Sequence, residues 1–366
     1  MQLSTEQYAC LQLSLCDGIG PMRMSAGLEK LGSYQAALSA VQGAKNRKVS
    51  AASKTDTDKV LNACVQQNIH ILFKDNPQYP APLKYISDAP HLLYLKGDIS
   101  ILEKPCVSIV GTRNASINGL KFTEKLAKNF GRENLCVVSG LARGIDAAAH
   151  KGAIGTQGKT IAVLAGGLGK IYPPEHTNLA KQILEDGGLL ISEMPPHTEH
   201  IAPLFPRRNR IVSGLSKALC VTESALKSGS LITARLALEH GRDVFAVPGH
   251  PTDPRAIGPN SLLKQGALWL ESASDVLAIY KSEKNTPKEP SLFDMPEEDK
   301  TQNAEGLKVP LADKILTLLT NTPTSLDELC EETETNIATL TTTLTLLDMD
   351  GHIAWHGSNK VSKVVS

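Results

Sequence analysis

The strongest constraint on this chain is a regular alternation of short apolar runs with helical patterns through its middle. The runs cover residues 106–110, 135–139, 160–164, 189–192, 218–222 and 243–247. Each is rich in Val, Ile or Leu and closes on turn-forming small residues. Helical patterns lie between them, at 117–130, 142–154, 175–185 and 231–240. Strands read as continuous apolar runs, without alternation, when helices cover both faces of a parallel sheet. The pattern predicts an α/β chain with an open, doubly wound sheet, whose ligand lies beyond the strands' carboxyl ends.

The flanks read differently. Residues 1–65 look helical and separate, with a loop of Asp17, Gly18, Ile19, Gly20 and Pro21 between two helical patterns. The sheet unit is expected over 66–280. Residues 281–306 carry three prolines and many charges with little apolar periodicity, as a linker does. Three helical patterns (311–320, 326–331, 334–349) and a hairpin then outline a winged helix over 307–366.

Charge separates these parts. Residues 101–280 hold twenty Lys and Arg against fifteen Asp and Glu, whereas 281–366 hold eight against fifteen. A basic centre beside an acidic tail fits anion binding in the middle and a distinct C-terminal module. No run of about 18 apolar residues is present to span a membrane, and the N-terminus has no basic stretch of a secretory signal. Seven cysteines without a CxxC pair disfavour both a disulfide scaffold and zinc. Buried thiols in a reducing cytoplasm are the expectation.

Two strand-to-helix turns carry the candidate chemistry. Gly111, Thr112 and Arg113 follow the first strand, and Ser139, Gly140, Leu141, Ala142, Arg143, Gly144 follow the second. Small residues let backbone N–H groups approach an oxyanion at a helix N-terminus, and Arg adds a bidentate contact. Arg207, Arg208 and Arg210 cluster in one turn, the stretch from Lys227 to Thr233 forms a Gly/Ser turn opening a helix, and Lys264 follows the last strand. Structural readings stand beside these: tight turns for the glycines, a solvated basic face for the arginines, an N-cap for Ser230. Neither turn carries the GxGxxG fingerprint, so a dinucleotide is not expected.

Catalytic groupings are thin. Asp146 and His150 stand four apart and read as an exposed helix contact, and Glu223, ending the fifth strand, reads as a cap or ion-pair partner in preference to a general base. His197 and His200 near Glu193 and Glu199 fall among Pro195, Pro196 and Pro203, which favours a rigid loop over a metal site. No catalytic residue, cofactor or metal is assigned.

Read in order, VSIVGTRNAS, VVSGLARGIDAAAH, TIAVLAGGLGKIYP, LISEMPP, FPRRNRIVSGLS, SGSLITARLALEHGRDVFAVPG and GPNSLLKQGA resemble the DNA-processing protein A (DprA, or Smf) family over residues 105–270. The resemblance implies an extended Rossmann-like sheet, a small N-terminal sterile-alpha-motif-like or helix-hairpin-helix-like domain, and a C-terminal winged helix. It implies a cytoplasmic, non-enzymatic homodimer that binds single-stranded DNA and loads RecA recombinase onto incoming strands during natural transformation. Carried over, Arg113, Arg143, Arg207, Arg208, Arg210 and Lys264 would meet DNA, with Gly111, Gly140 and Gly144 admitting the backbone. Leu262, Leu263, Leu268 and Trp269 would contribute to the dimer interface. The chain departs from the family at Gly169, where GLGKIYP replaces GLDxxYP and removes a carboxylate.

Aromatics are sparse here and Phe205 alone adjoins the arginines, so phosphates should dominate recognition. Acids at 327, 328, 331, 332 and 334 lie on the expected second and third helices of the winged module, which points to protein contacts there. The alternatives are a nucleotide phosphoribohydrolase, whose PGGxGTxxE motif has no matching early glutamate in SGSLITARLALE, and a nicotinamide oxidoreductase.

Overall fold

Ser4 starts the first helix by a reciprocal cap: its Oγ accepts from the Gln7 N–H at 3.2 Å while the Gln7 side chain accepts from the Ser4 N–H at 3.1 Å. That helix, α1 (Thr5–Ser14), precedes α2 (Pro21–Leu31), α3 (Tyr34–Gly43) and α4 (Lys54–Gln66). The structure is a computed structural model that describes residues 3–43, 51–285, 309–333, 335–356 and 359–364. The chain forms two compact units, 1–287 and 288–366. The four helices do not close a core of their own. Leu11, Leu13 and Met24 belong to one apolar cluster with Phe73, Tyr94 and Leu190 of the sheet. So short a segment buries too little surface alone, and no gap in packing falls at 65/66. His91 pins the junction, with Ser25 Oγ 3.0 Å and Tyr34 OH 2.8 Å from its ring nitrogens.

The elements of the sheet run β1 (His70–Phe73), α5 (Ala81–Lys84), β2 (Leu92–Gly97), β3 (Cys106–Val110), α6 (Ile117–Arg132), β4 (Cys136–Ser139), α7 (Ile145–Ala153) and β5 (Thr160–Val163). They continue with α8 (Thr177–Glu185), β6 (Leu189–Ser192), α9 (Leu204–Gly214), β7 (Ala218–Val221), α10 (Gly229–Glu239), β8 (Asp243–Ala246), α11 (Ile257–Lys264), β9 (Leu268–Trp269) and α12 (Ala273–Asn285). The nine strands stand in the order β1-β2-β6-β5-β4-β3-β7-β8-β9. From β6 across to β9 all pairs are parallel, while β2 and β1 add antiparallel at one edge.

The expected doubly wound sheet is present. The chain winds from β3 outward to β6, then returns to place β7 against the other side of β3. Adjacent crossovers there leave the sheet in opposite directions and open a crevice at the strands' carboxyl ends. Both faces are packed, one by Leu126, Phe130 and Ile145 and the other by Leu83, Ile211 and Leu215. Truncating the fully buried Phe130 to Ala would cost about 3–5 kcal/mol. All seven cysteines are free, six of them buried, and burial pushes the Cys10 and Cys64 thiols up to about 12. Among the described residues no helix is long and apolar enough to cross a membrane.

The second unit holds α13 (Val309–Leu318), β10 (Thr324–Ser325), α14 (Leu326–Thr333), α15 (Ile337–Met349), β11 (Ile353–Trp355) and β12 (Lys360–Lys363). Three helices and a sheet of order β10-β12-β11 make a winged helix around Ile315, Leu329, Leu340, Leu344 and Val361. The hairpin expected from sequence is β11 with β12, and β10 adds an unexpected third strand. The acids fall otherwise than expected: Asp327, Glu328, Glu331 and Glu332 all lie on α14, residue 334 lies outside the described residues, and α15 carries Asp348 alone.

Candidate nucleic-acid interface

The first turn is fixed from both ends. Thr112 N–H donates to the Glu223 carbonyl at 2.6 Å. Ser116 caps α6, its Oγ accepting from Gly119 N–H at 2.9 Å, while the Glu223 carboxylate accepts from Ser116 N–H at 2.8 Å and from its hydroxyl. Glu223 thus serves as a cap, as the sequence suggests. Gly111 has no room for a side chain, since a Cβ would stand 2.5 Å from Ile145 Cγ1 and 2.8 Å from the Glu223 carbonyl.

The second turn bends through the left-handed region twice, at Leu141 (φ 57°) and Gly144 (φ 70°). A non-glycine residue there is strained, and the fully buried Leu141 side chain anchors it. Asp146 closes the turn, its Oδ2 accepting from Gly140 N–H at 3.1 Å and Ala142 N–H at 3.3 Å. Both Asp146 and His150 are buried, which corrects the expected exposed contact. The short α7 that carries them is packed against α6 and the strands. His150 Nδ1 lies 2.7 Å from Thr160 Oγ1, which itself donates to the Val137 carbonyl at 2.7 Å. Nδ1 therefore carries the proton, and Nε2 is buried without a partner among the described residues. Burial pulls the His150 pKa down to about 3.

The arginines have separate fates. Arg113 is exposed and lies 5.5 Å over the Phe205 ring. Arg143 is exposed and donates from Nε to the Glu175 carboxylate. Arg207 is exposed. Arg208 is buried at 7% exposure, its Nε without a partner among the described residues, and its guanidinium occupies the space a Cβ on Gly140 would need. Burial lowers the Arg208 pKa while Asp146 opposes that shift, and burial raises Asp146 while Arg208 opposes it. Arg210 corrects the expected basic track. It is 4% exposed, with Nε 3.3 Å from Asp88 and Nη2 on the Glu193 carboxylate. Two half-buried carboxylates occupy it, so it offers no face to a strand.

A cleft of about 370 Å³ gathers these parts, with Gly111, Arg113, Phe205, Arg208, Lys227 and Ser230 on its walls. It lies at the β3/β7 switch point and ends on the N-terminus of α10, where Ser228 accepts from Ser230 N–H at 3.3 Å. Beside it Tyr172 meets Phe205 at 5.8 Å and stacks on His200 at 5.5 Å. Sequence reasoning left Phe205 alone, because Tyr172 stands far from it along the chain and no local signal joins them. His200 uses both ring nitrogens on backbone, Nδ1 accepting from Gly166 N–H at 3.0 Å and Nε2 donating to the Lys170 carbonyl at 2.8 Å. Lys264 is exposed at the end of α11, away from the cleft walls. At Gly169 a Cβ would stand 2.7 Å from the Pro196 carbonyl, which accounts for glycine at that point of this chain.

Of the interface candidates, Leu262 is 8% exposed and belongs to the chain's own core. Leu263 is half-buried against that core, whereas Leu268 and Trp269 on the edge strand are 44% and 56% exposed. Exposed Leu226, Ile232 and Leu238 on and before α10 were not singled out by sequence.

Residues 70–281 match the family described as DNA recombination-mediator protein A, and residues 298–359 match the DprA winged helix domain. The chain belongs to the DprA family. It is 43% identical to Protein Smf of Escherichia coli over 212 residues, 58% of this chain and 57% of that protein. It is 46% identical to DNA processing protein DprA of Bacillus subtilis over 219 residues, 60% and 73% of the two chains. The match thus spans little more than half of the Escherichia coli relative. DprA from Streptococcus pneumoniae has the same fold with a TM-score of 0.65 at 33% identity, covering 76% of this chain and 98% of that one. DprA from Helicobacter pylori, described for its single-stranded DNA binding mode, gives 0.52 at 30% identity over 59% and 96%. DprA proteins are DNA-processing recombination mediators, and this chain shares their sheet and their winged helix.

Proposed function

We propose that this chain binds single-stranded DNA in the switch-point cleft and acts, without catalysis, as a cytoplasmic homodimer that loads RecA onto incoming strands during natural transformation. The observation that carries the reading is the cleft itself: a buried, incompletely partnered Arg208 beside exposed Arg113 and Lys227, facing a helix N-terminus. Such a site attracts phosphate, because cation and helix dipole act together. Arg113 and Lys227 contact phosphates, Arg208 sets the charge of the cleft floor, and Gly140 leaves room for that guanidinium. Tyr172 and Phe205 offer stacking faces, which bind any base with little sequence preference. Arg143 and Arg207 act at the rim, and Lys264 adds a distant contact. Exposed Leu268 and Trp269 on the sheet edge form part of the homodimer contact, and the winged helix meets protein.

Polarisation measurements with single-stranded, double-stranded and mononucleotide ligands test the reading. Tight single-strand binding without release of free base from nucleotides is expected. Equal affinity for a mononucleotide and a long strand would overturn it. Faster RecA filament formation on single strands in the presence of this protein tests the loading step.

A further inference from the structure

Arg113 borders a second cavity, of about 620 Å³, lined also by Glu124, Gly144, Lys151, His176 and Arg255. The helices α6 and α7 cross tightly beside it, since a Cβ on Gly152 would collide with the Glu124 backbone, and the neighbouring Lys151 is exposed. His176 Nδ1 donates to the Leu141 carbonyl at 2.8 Å, which leaves Nε2 as its other polar atom. Arg113, Lys151 and His176 thus face one carboxylate in this groove, while Arg255 holds its own partner, with Nε 3.1 Å from the Asp253 carboxylate.

The outer face of α6 continues the charge. Lys121, Lys125, Lys128 and Arg132 recur at steps of four, three and four, which places them in one sector of the helix. All four are exposed, opposite the buried Thr123, Leu126, Ala127 and Phe130. None makes an ion pair among the described residues, although Glu124 lies three and four positions from Lys121 and Lys128. A solvated helix face ordinarily mixes charge signs, and Glu124 is the one acid in this sixteen-residue helix. The stripe extends about 16 Å at 1.5 Å per residue.

We propose that the Lys151/Arg255 groove and the α6 stripe form an outer track for the single strand, continuous with the cleft through Arg113. This inference rests on the single-strand reading and extends it to residues that the cleft does not contain. A nucleic-acid strand fits better than a protein partner. Lysine is depleted from protein–protein interfaces, whereas unpaired lysines on a track suit counterion release from phosphate.

The test uses the full chain carrying Lys121→Ala, Lys125→Ala and Lys128→Ala together. Alanine keeps the helix, having the highest helix propensity, and a triple Lys→Arg variant keeps the charge. Oligonucleotides of about 6 and about 40 nucleotides separate the cleft from the track. The alanine variant should bind the short strand within about twofold of wild type and the long strand about tenfold more weakly. Its salt slope on the long strand should flatten by about 2, which is 0.7 for each of three lost phosphate contacts, and the arginine variant should behave as wild type. Equal loss on both lengths, or no loss on either, overturns the track. Retained DNA binding with lost RecA stimulation overturns it in favour of a protein surface. A wild type that binds neither strand overturns the cleft reading and the track together.

Discussion

The cleft rim and the third helix of the winged module are both built like nucleic-acid readers, yet their chemistry is opposite. The cleft walls present Arg113 and Lys227, both exposed. Helix α15, the element that enters the major groove in helix-turn-helix proteins, holds no Lys or Arg, five threonines and Asp348. Several of those threonines turn their hydroxyls inward: Thr341, Thr343 and Thr345 donate to the carbonyls of Ile337, Thr339 and Thr341 at 2.7–2.9 Å. Architecture alone therefore does not choose the ligand. Phosphate neutralisation supplies most non-specific affinity for nucleic acid, and only one of the two regions is equipped for it.

The largest expected effect that would break this contrast is on the rim. Arg113→Ala should weaken single-strand binding about 10- to 150-fold, as a charged hydrogen bond contributes about 1.5–3 kcal/mol. Arg143→Ala should lose less, because Glu175 already neutralises part of its charge. Wild-type affinity in a folded Arg113→Ala protein, measured by polarisation, would remove the cleft from the binding surface.

Acid should separate the two units next. His150 is held neutral with a pKa of about 3 against an ordinary 6.5. Below pH 6.5 the unfolded state takes up a proton that the folded state refuses. Stability of the sheet unit therefore falls with pH by about 1.4 kcal/mol per unit, or about 2 kcal/mol between pH 6.5 and 5. Asp146, raised by burial, works in the opposite direction as pH drops through its own range. Chemical denaturation at pH 7 and pH 5 should show the sheet unit softening, and His150→Leu should flatten the dependence by one proton. An unchanged pH profile in that variant would contradict the buried neutral assignment.

A gain of function sharpens the contrast further. Thr341→Lys with Thr345→Lys, on exposed positions of α15, should introduce weak double-strand binding with a salt slope of about −1.8, or 0.9 for each new contact. Failure to bind would show that α15 is unsuited to DNA for reasons beyond charge. The smallest effect is expected from deleting residues 288–366, a separate compact unit. Single-strand affinity should stay within about twofold, because a net-acidic module supplies no phosphate contact. A large loss in the truncated, folded protein would place the winged helix on the strand after all.

How much of this was legible in the sequence depends on how local each signal is. The six strands β3 to β8 were readable because burial on both faces leaves unbroken apolar runs. β1 and β9 were not, since the edge strand β1 runs from exposed to buried within four residues, and β9 has two residues, both exposed; β2 was missed although its first four residues are buried inside the sheet. The two glycine turns were readable because each is one contiguous motif. The divergence of Arg208 and Arg210 was not. Two positions apart on α9, they point to different partners, Gly140 and Asp146 for one, Asp88 and Glu193 for the other, and those partners come from distant segments. The same holds for Tyr172 beside Phe205, and for the burial of Asp146 and His150, whose helical spacing is that of any surface pair.

Gly140 and Arg208 share one volume, and this has a consequence for inheritance. Neither position can drift alone. A methyl group at 140 evicts the guanidinium and leaves the buried Asp146 carboxylate without its neighbouring cation, while a short residue at 208 vacates the space beside 140. Across related chains the two sites should change as a pair or stay fixed as a pair. A lineage that acquires alanine at 140 should already have lost the long cation at 208, and with it the charge on the floor of the cleft.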